Sequence, residues 1–291
     1  IIKNLADAGF TFFGRGTQLK NNFLRLLNNI AVERHITVSP RPGWQRDRLD
    51  QVLGFLLPTD EFVPAVPGQT TTTKLSPAGA FEDRGTRGTL EEWLDAADAA
   101  MWSADPKSER HKNSNFHWTL GLCAAFVGPI IGLADLPPRG INLSGDSSKG
   151  KSLALQLGAS VWGNPAPRSS AFFPMNNTAN AMEDLCTIGS ETLLCLDEIG
   201  ALNNKRMLSD ALFNVALGSG KGRKKGRDAG LAKGAKYRPF VMLSNERTLR
   251  VEIESAGKRG DYRTGTSVRF PDISVTGAAT VSQEAIARLK K

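Results

Sequence analysis

The residues with the clearest chemical potential are Gly145, Asp146, Ser147, Ser148, Lys149, Gly150, Lys151 and Ser152. They fill every fixed position of a phosphate-binding loop. Glycines let successive backbone N–H groups wrap phosphate oxygens, Lys151 reaches the outer phosphates, and the Ser152 hydroxyl can hold magnesium. Downstream, the apolar run Leu193–Leu196 delivers two adjacent acids, Asp197 and Glu198. In that order and setting, Asp197 serves as a magnesium anchor acting through the metal's water shell, with Ser152 as the other ligand. Glu198 serves as the general base that polarises an attacking water. The combined pattern points to hydrolysis of ATP, with Mg2+ as cofactor.

Three further groups of residues complete the chemistry. Asn245 follows the apolar run Phe240–Ser244, where a side-chain amide can orient the water or sense the terminal phosphate. Among Arg259, Arg263 and Arg269, Arg269 is the first choice and Arg259 the reserve for a charge offered to the ATP of a neighbouring subunit. Lys221, Arg223, Lys224, Lys225 and Arg227 are interleaved with glycines in a segment that can follow a nucleic-acid backbone, or contact an acidic partner. Its one aromatic residue is Tyr237, so stacking on bases is not indicated.

These residues must be positioned by alternating strands and helices. Ile141–Ser144 reads as a strand running into the loop, and residues 151–161 as the helix that follows. Strands are expected at 170–173, 192–197, 240–244 and 273–275, with helices at 177–188 and 203–217, the latter ended by Gly218. Such alternation predicts an α/β fold, a three-layer αβα sandwich around a parallel sheet, over residues 135–291. A helical layer is expected over 89–134, opening with a Thr89/Glu92 capping box and carrying Leu90, Trp93, Leu94, Ala97 and Met101 at helical spacing. Residues 1–88 read as a small mixed α/β region. In it a helix is expected around 21–30 and strands near 36–38 and 52–57, followed by a long Thr-, Gly- and Pro-rich loop over 59–88.

The bulk numbers constrain the class. A chain of 291 residues can bury one large core or two modest ones. With 40% hydrophobic and 23% charged residues it is neither disordered nor fibrous. The net charge of +8 favours a polyanionic partner, and the clustering at 221–227 strengthens that reading. Cys123, Cys186 and Cys195 are odd in number, lie in apolar stretches and have no paired spacing. They argue against disulfides or zinc and for a reduced, cytoplasmic protein. His35, His111 and His117 have no metal-ligand pattern and read as structural or surface residues. No charge falls between Asn115 and Ala134, but a buried helix is expected there rather than a membrane span. The start at Ile1, without methionine or signal pattern, reads as a fragment of something longer.

The runs GINLSGDSSKGKSLALQLGASVWGNP, LLCLDEIG, GSGKGR, FVMLSNE and AGKRGDYRTGTSVRFPDI, with Gly43-Trp44 and the TLEEW segment at 89–93, carry a resemblance. The chain resembles the helicase-like domains found in phages, plasmids, integrative elements and staphylococcal cassette chromosomes, which often accompany a primase-type domain. That resemblance implies an AAA+ P-loop ATPase related to the minichromosome-maintenance helicases. It implies a hexameric homo-oligomer around single-stranded or forked DNA, replication-associated, with a primase domain or protein as a possible partner. Lys151 and Ser152 match the first Walker motif, Asp197 and Glu198 the second, Asn245 the first sensor, and Arg269 the arginine finger. The basic residues 221–227 match the position of the DNA-gripping hairpin. A lid subdomain and second sensor are expected to be missing, since only residues 276–291 follow Val275. Two other readings stay open: an ATPase that remodels or loads protein partners, and an inactivated nucleotide-binding derivative.

Overall fold

Successive side chains of a strand point to opposite faces, so a strand of unbroken apolar residues needs cover on both sides. The computed structural model of the chain has that arrangement. It describes residues 17–18, 21–23, 25, 36–68, 73–76, 88–102, 115–166, 172–174, 179–198, 206–220, 223–224, 231–232, 236–255 and 264–276. The chain divides into two compact units, 1–37 and 38–291. In the first, residues 17–18, 21–23 and 25 are helical, and the rest of the helix expected around 21–30 lies outside the described residues.

The second unit is built on five parallel strands: β6 (Arg139–Ser144), β7 (Phe172–Pro174), β8 (Leu193–Asp197), β11 (Phe240–Asn245) and β12 (Asp272–Ser274). Their order across the sheet is β12-β6-β11-β8-β7. Alternation then sorts the side chains into two cores. Leu193, Cys195, Phe240 and Met242 enter one, with Ala154 and Leu155 of α4 (Lys151–Ala159), Trp118 and Leu122 of α2 (Phe116–Ala125), and Ala97 of α1 (Leu90–Met101). Leu194, Leu196, Val241 and Leu243 enter the other. There they meet Leu185 of α5 (Ala179–Ile188), Leu208 and Leu212 of α6 (Arg206–Leu217), Leu249 and Ile253 of α7 (Leu249–Glu254), and Phe270, which follows α8 (Thr264–Arg269). The result is the expected three-layer αβα sandwich.

Helix α1 begins with the predicted capping box: the Glu92 N–H donates to Thr89 Oγ1 (3.2 Å) and the Thr89 N–H to Glu92 Oε2 (2.9 Å). The uncharged stretch forms α2 and α3 (Val127–Leu133), separated by a turn at Phe126. Phe116–Leu133 is long and apolar enough to cross a membrane, yet half of it is buried within the protein. A Cβ on Gly121 of α2 would overlap the Ala154 carbonyl of α4, so the two helices touch backbone to backbone.

The stretch 59–88 corrects the sequence reading. Instead of one long loop, its described part contains β4 (Phe62–Pro64) and β5 (Thr73–Leu75). Strand β4 pairs with β3 (Val52–Leu56), which pairs in turn with β2 (Gly43–Arg46), while β5 pairs with β1 (Thr37–Ser39). This hairpin is fastened to the sandwich. Phe55 joins the first core, with its ring 5.0 Å from Trp44 and 5.9 Å from Trp162, and Trp44 Nε1 donates to Pro129 O (2.8 Å).

The polar fastening is Glu191, a buried carboxylate (3% exposed) with φ of 58°. It accepts the Trp44 N–H (2.6 Å) and pairs with Arg41 (3.2 Å), while Gly43 and Gly132 leave room for its side chain. The Glu191 N–H donates to Arg238 O (2.9 Å), just before β11. Removing a buried charge that orders two donors from another segment should cost about 2–4 kcal/mol, with Arg41's partial exposure lowering the figure. Glu191→Ala is therefore expected to destabilise residues 38–291 by that amount in urea unfolding, with Glu191→Gln costing less because it keeps an acceptor for Trp44. Equal midpoints for all three proteins would contradict this role.

Candidate functional site: a phosphate loop facing two carboxylates

Strand β6 ends at Ser144, and the chain turns through Gly145 (φ 148°), Ser148 (φ 61°) and Gly150 (φ 85°) before α4 begins at Lys151. Positive φ at these positions curls the backbone tightly, which glycine allows at least cost. Gly145 has a second reason to lack a side chain: its Cβ would overlap the carbonyl of Val275, whose N–H is bonded to Ser144 O (2.7 Å). Lys151 is 9% exposed, and its Nζ donates to Gly145 O (2.7 Å) and Asp146 O (2.6 Å). The ammonium thus lies within the curl of the loop. A phosphate there would give it a charged acceptor in place of two neutral ones, a stronger bond.

Because β11 lies between β6 and β8, its last residues bridge the loop and the acids. Leu243 is in register with Leu196 of β8, and Ser244 and Asn245 with Leu143 and Ser144 of β6. Ser152 Oγ donates to Asp197 Oδ1 (3.1 Å), and Ser244 Oγ donates to the same oxygen. Ser244 Oγ also accepts the Glu198 N–H (3.4 Å). Glu198 itself is exposed with φ of 54°, a left-handed conformation that costs a residue with a Cβ about 1–2 kcal/mol. Buried Asn245 directs Nδ2 to Glu252 Oε2 (3.4 Å), and Ser147 of the loop donates to Glu246.

The structure therefore brings together Lys151, Ser152, Asp197, Glu198 and Asn245 at one end of the sheet. Arg269 is elsewhere. It ends α8, donates to Gly265 O (3.4 Å), and lines a cavity with Pro137, Arg139, Gly265 and Val268. Arg139 starts β6, so this cavity lies about 17 Å along the strand from the phosphate loop. Arg223 and Lys224 form β9, paired antiparallel with β10 (Leu231–Ala232). Ser219 and Lys236 close the base of this ribbon between α6 and β11. Lys221, Lys225, Arg227, Arg259 and Arg263 lie outside the described residues.

Ser244, Glu246 and Glu252 were not singled out by the sequence. A hydroxyl breaking the apolar run of a central strand is the one signal that marks Ser244.

Sheet and loop together define an α/β sandwich of the P-loop kind. The chain belongs to the family described as "Domain of unknown function (DUF927)", whose model matches residues 1–236. Among solved structures it is similar to "SCCmec type IV Cch - active helicase", with a TM-score of 0.65 and 16% identity over 99% of this chain and 49% of that one. The chain thus spans about half the length of that helicase. Looser likenesses are to NtrX from Brucella abortus with ADP (TM-score 0.34, 16% identity, 55% of this chain and 35% of that one) and to JCV helicase (TM-score 0.32, 16% identity, 65% and 46%). No curated protein matches the chain.

The geometry makes Ser244 a positioning residue for Asp197 and Glu198. Ser244→Ala removes one donor and one acceptor worth about 0.5–1.5 kcal/mol each, so residues 38–291 are expected to be destabilised by about 1–3 kcal/mol in urea unfolding. An unchanged midpoint would remove Ser244 from this network.

Proposed function

We propose that the chain is an ATP-hydrolysing, ring-forming DNA helicase or translocase module of a phage or mobile element, with a replication-associated role. The observation that carries the reading is the convergence of Ser152, Asp197 and Ser244 beside a phosphate loop that already encloses Lys151. Lys151 and the loop N–H groups hold the triphosphate. Ser152 and Asp197 are hard oxygen donors that fit a magnesium ion, which when bound would neutralise phosphate charge. Glu198, released from the strand direction by its left-handed φ, takes the proton from the attacking water, and Asn245 orients that water.

Ring formation is supported by the position of Arg269. A side chain so far from its own phosphate loop can contribute to catalysis only at another subunit's nucleotide, with Arg259 as the alternative. The strand order, in which β11 is inserted between the loop strand and the acid strand, fits the AAA+ relation drawn from the sequence motifs. DNA contact is supported by the β9–β10 ribbon carrying Arg223 and Lys224, continued by Lys225 and flanked by Lys221 and Arg227. The ribbon runs into β11, whose far end holds Ser244 and Asn245, so the DNA contact and the hydrolysis site share one strand. A hexameric ring, a primase partner and a cytoplasmic setting belong to the same reading.

Turnover of ATP measured with and without single-stranded DNA tests it. Stimulation by DNA is expected, and its loss when Lys224 and Lys225 are neutralised together. ATP turnover that DNA leaves unchanged would contradict the motor reading while leaving the hydrolysis site standing.

A further inference from the structure

The outer side of the phosphate loop is held by two side chains from α2. His117 Nε2 lies 2.9 Å from Lys149 O, and Trp118 Nε1 donates to Gly150 O (2.9 Å). Both side chains are buried, each 2% exposed. A carbonyl only accepts, so Nε2 carries the proton in this bond; Nδ1 is buried without a hydrogen-bond partner. Burial lowers the His117 pKa, overriding the Lys149 carbonyl that favours the charged ring, and the Lys151 charge lowers it further. The ring is thus held by burial with Nε2 as its donor to the loop.

The peptide unit explains what these bonds accomplish. It is planar and trans, so its C=O and N–H point in opposite directions. Anchoring Lys149 O outward fixes the Gly150 N–H on the opposite side, and anchoring Gly150 O fixes the Lys151 N–H. Gly150 holds φ of 85°, and a Cβ there would lie 2.8 Å from Trp118 Nε1, so the indole is fitted to a bare backbone. Helix α2 is itself immobilised: Asn115, at its start, is tied to α1 through Nδ2 to Ala100 O (2.8 Å) and N–H to Met101 O (2.8 Å). Gly121 then contacts α4.

We infer that His117 and Trp118 are positioning residues for nucleotide binding, presetting the Gly150 and Lys151 N–H groups for the inner phosphates from outside the loop. The inference rests on the nucleotide-binding reading above. Because the backbone N–H groups of such a loop cradle the α- and β-phosphates, the pair serves ADP as well as ATP. The brace also makes Trp118 a built-in reporter, since phosphate entering the loop changes the surroundings of its indole.

The experiment is calorimetric titration of the full chain with magnesium-ADP and magnesium-ATPγS, for wild type, His117→Leu, His117→Gln and Trp118→Phe. Each lost donor is expected to weaken both nucleotides by about two- to tenfold, with the defect in turnover appearing in KM rather than kcat. His117→Gln, which keeps an N–H donor, is expected to recover most of the affinity. In wild type, ADP is expected to change the tryptophan emission, and in Trp118→Phe that change should vanish. Wild-type binding matched by His117→Leu and Trp118→Phe, with equal KM, would overturn the brace and leave the nucleotide site intact. Absence of binding in wild type would overturn the nucleotide reading itself. Should one variant fail to fold, the other and the wild-type emission change still decide the matter.

Discussion

The hydrogen bond from Ser152 to Asp197 joins parts of the chain that are not neighbours in the sheet. Strands β6 and β8 flank β11, so their axes are about 10 Å apart. A side chain from the first turn of α4 closes that gap, and Ser244 of the intervening strand supports the same carboxylate oxygen. The site therefore exists only while three strands keep register, and the two cores that enforce this register are what the rest of the molecule supplies. Leu193–Leu196 and Phe240–Leu243 alternate between those cores, so a slip of one residue would exchange their faces and also remove Ser244 from Asp197.

The two ends of the sheet divide the labour. At the end where β6 leaves the sheet are the loop, the acids and Asn245. At the other end are Arg269 with Arg139, the base of the basic ribbon, and the Glu191 node that receives the N-terminal hairpin. Glu191 bonds Arg238, two residues before β11, and β11 carries Ser244 and Asn245 at its far end. One strand thus connects the hairpin and the base of the ribbon to Ser244 and Asn245 beside the phosphate loop.

Much of this was legible in the sequence because the physics is local. A glycine-spaced loop between an apolar run and a helix, and four apolar residues before two acids, identify themselves without reference to distant partners. The capping box at Thr89 and the helix stop at Gly218, which has φ of 68°, are equally local signals. What escaped depends on partners far away in the chain. The three-residue strands β4 and β5 lie in a Thr-, Gly- and Pro-rich stretch whose composition reads as loop, and a neighbouring strand supplies what their own length cannot. Glu191 resembles a surface acid until Arg41 and Trp44 are placed around it. Ser244 acquires its partners from register, and His117, read as structural or surface, is indeed buried, its partner on the loop supplied by the close approach of α2.

The proposed triphosphate site stands or falls on Lys151, whose ammonium is curled into its loop. Equilibrium binding of magnesium-ATP to the full chain and to Lys151→Ala decides it. One nucleotide is expected per wild-type chain, with binding about ten- to a hundredfold weaker in the variant, the value of losing a charge-assisted contact. Equal affinity of the two proteins for ATP would contradict it.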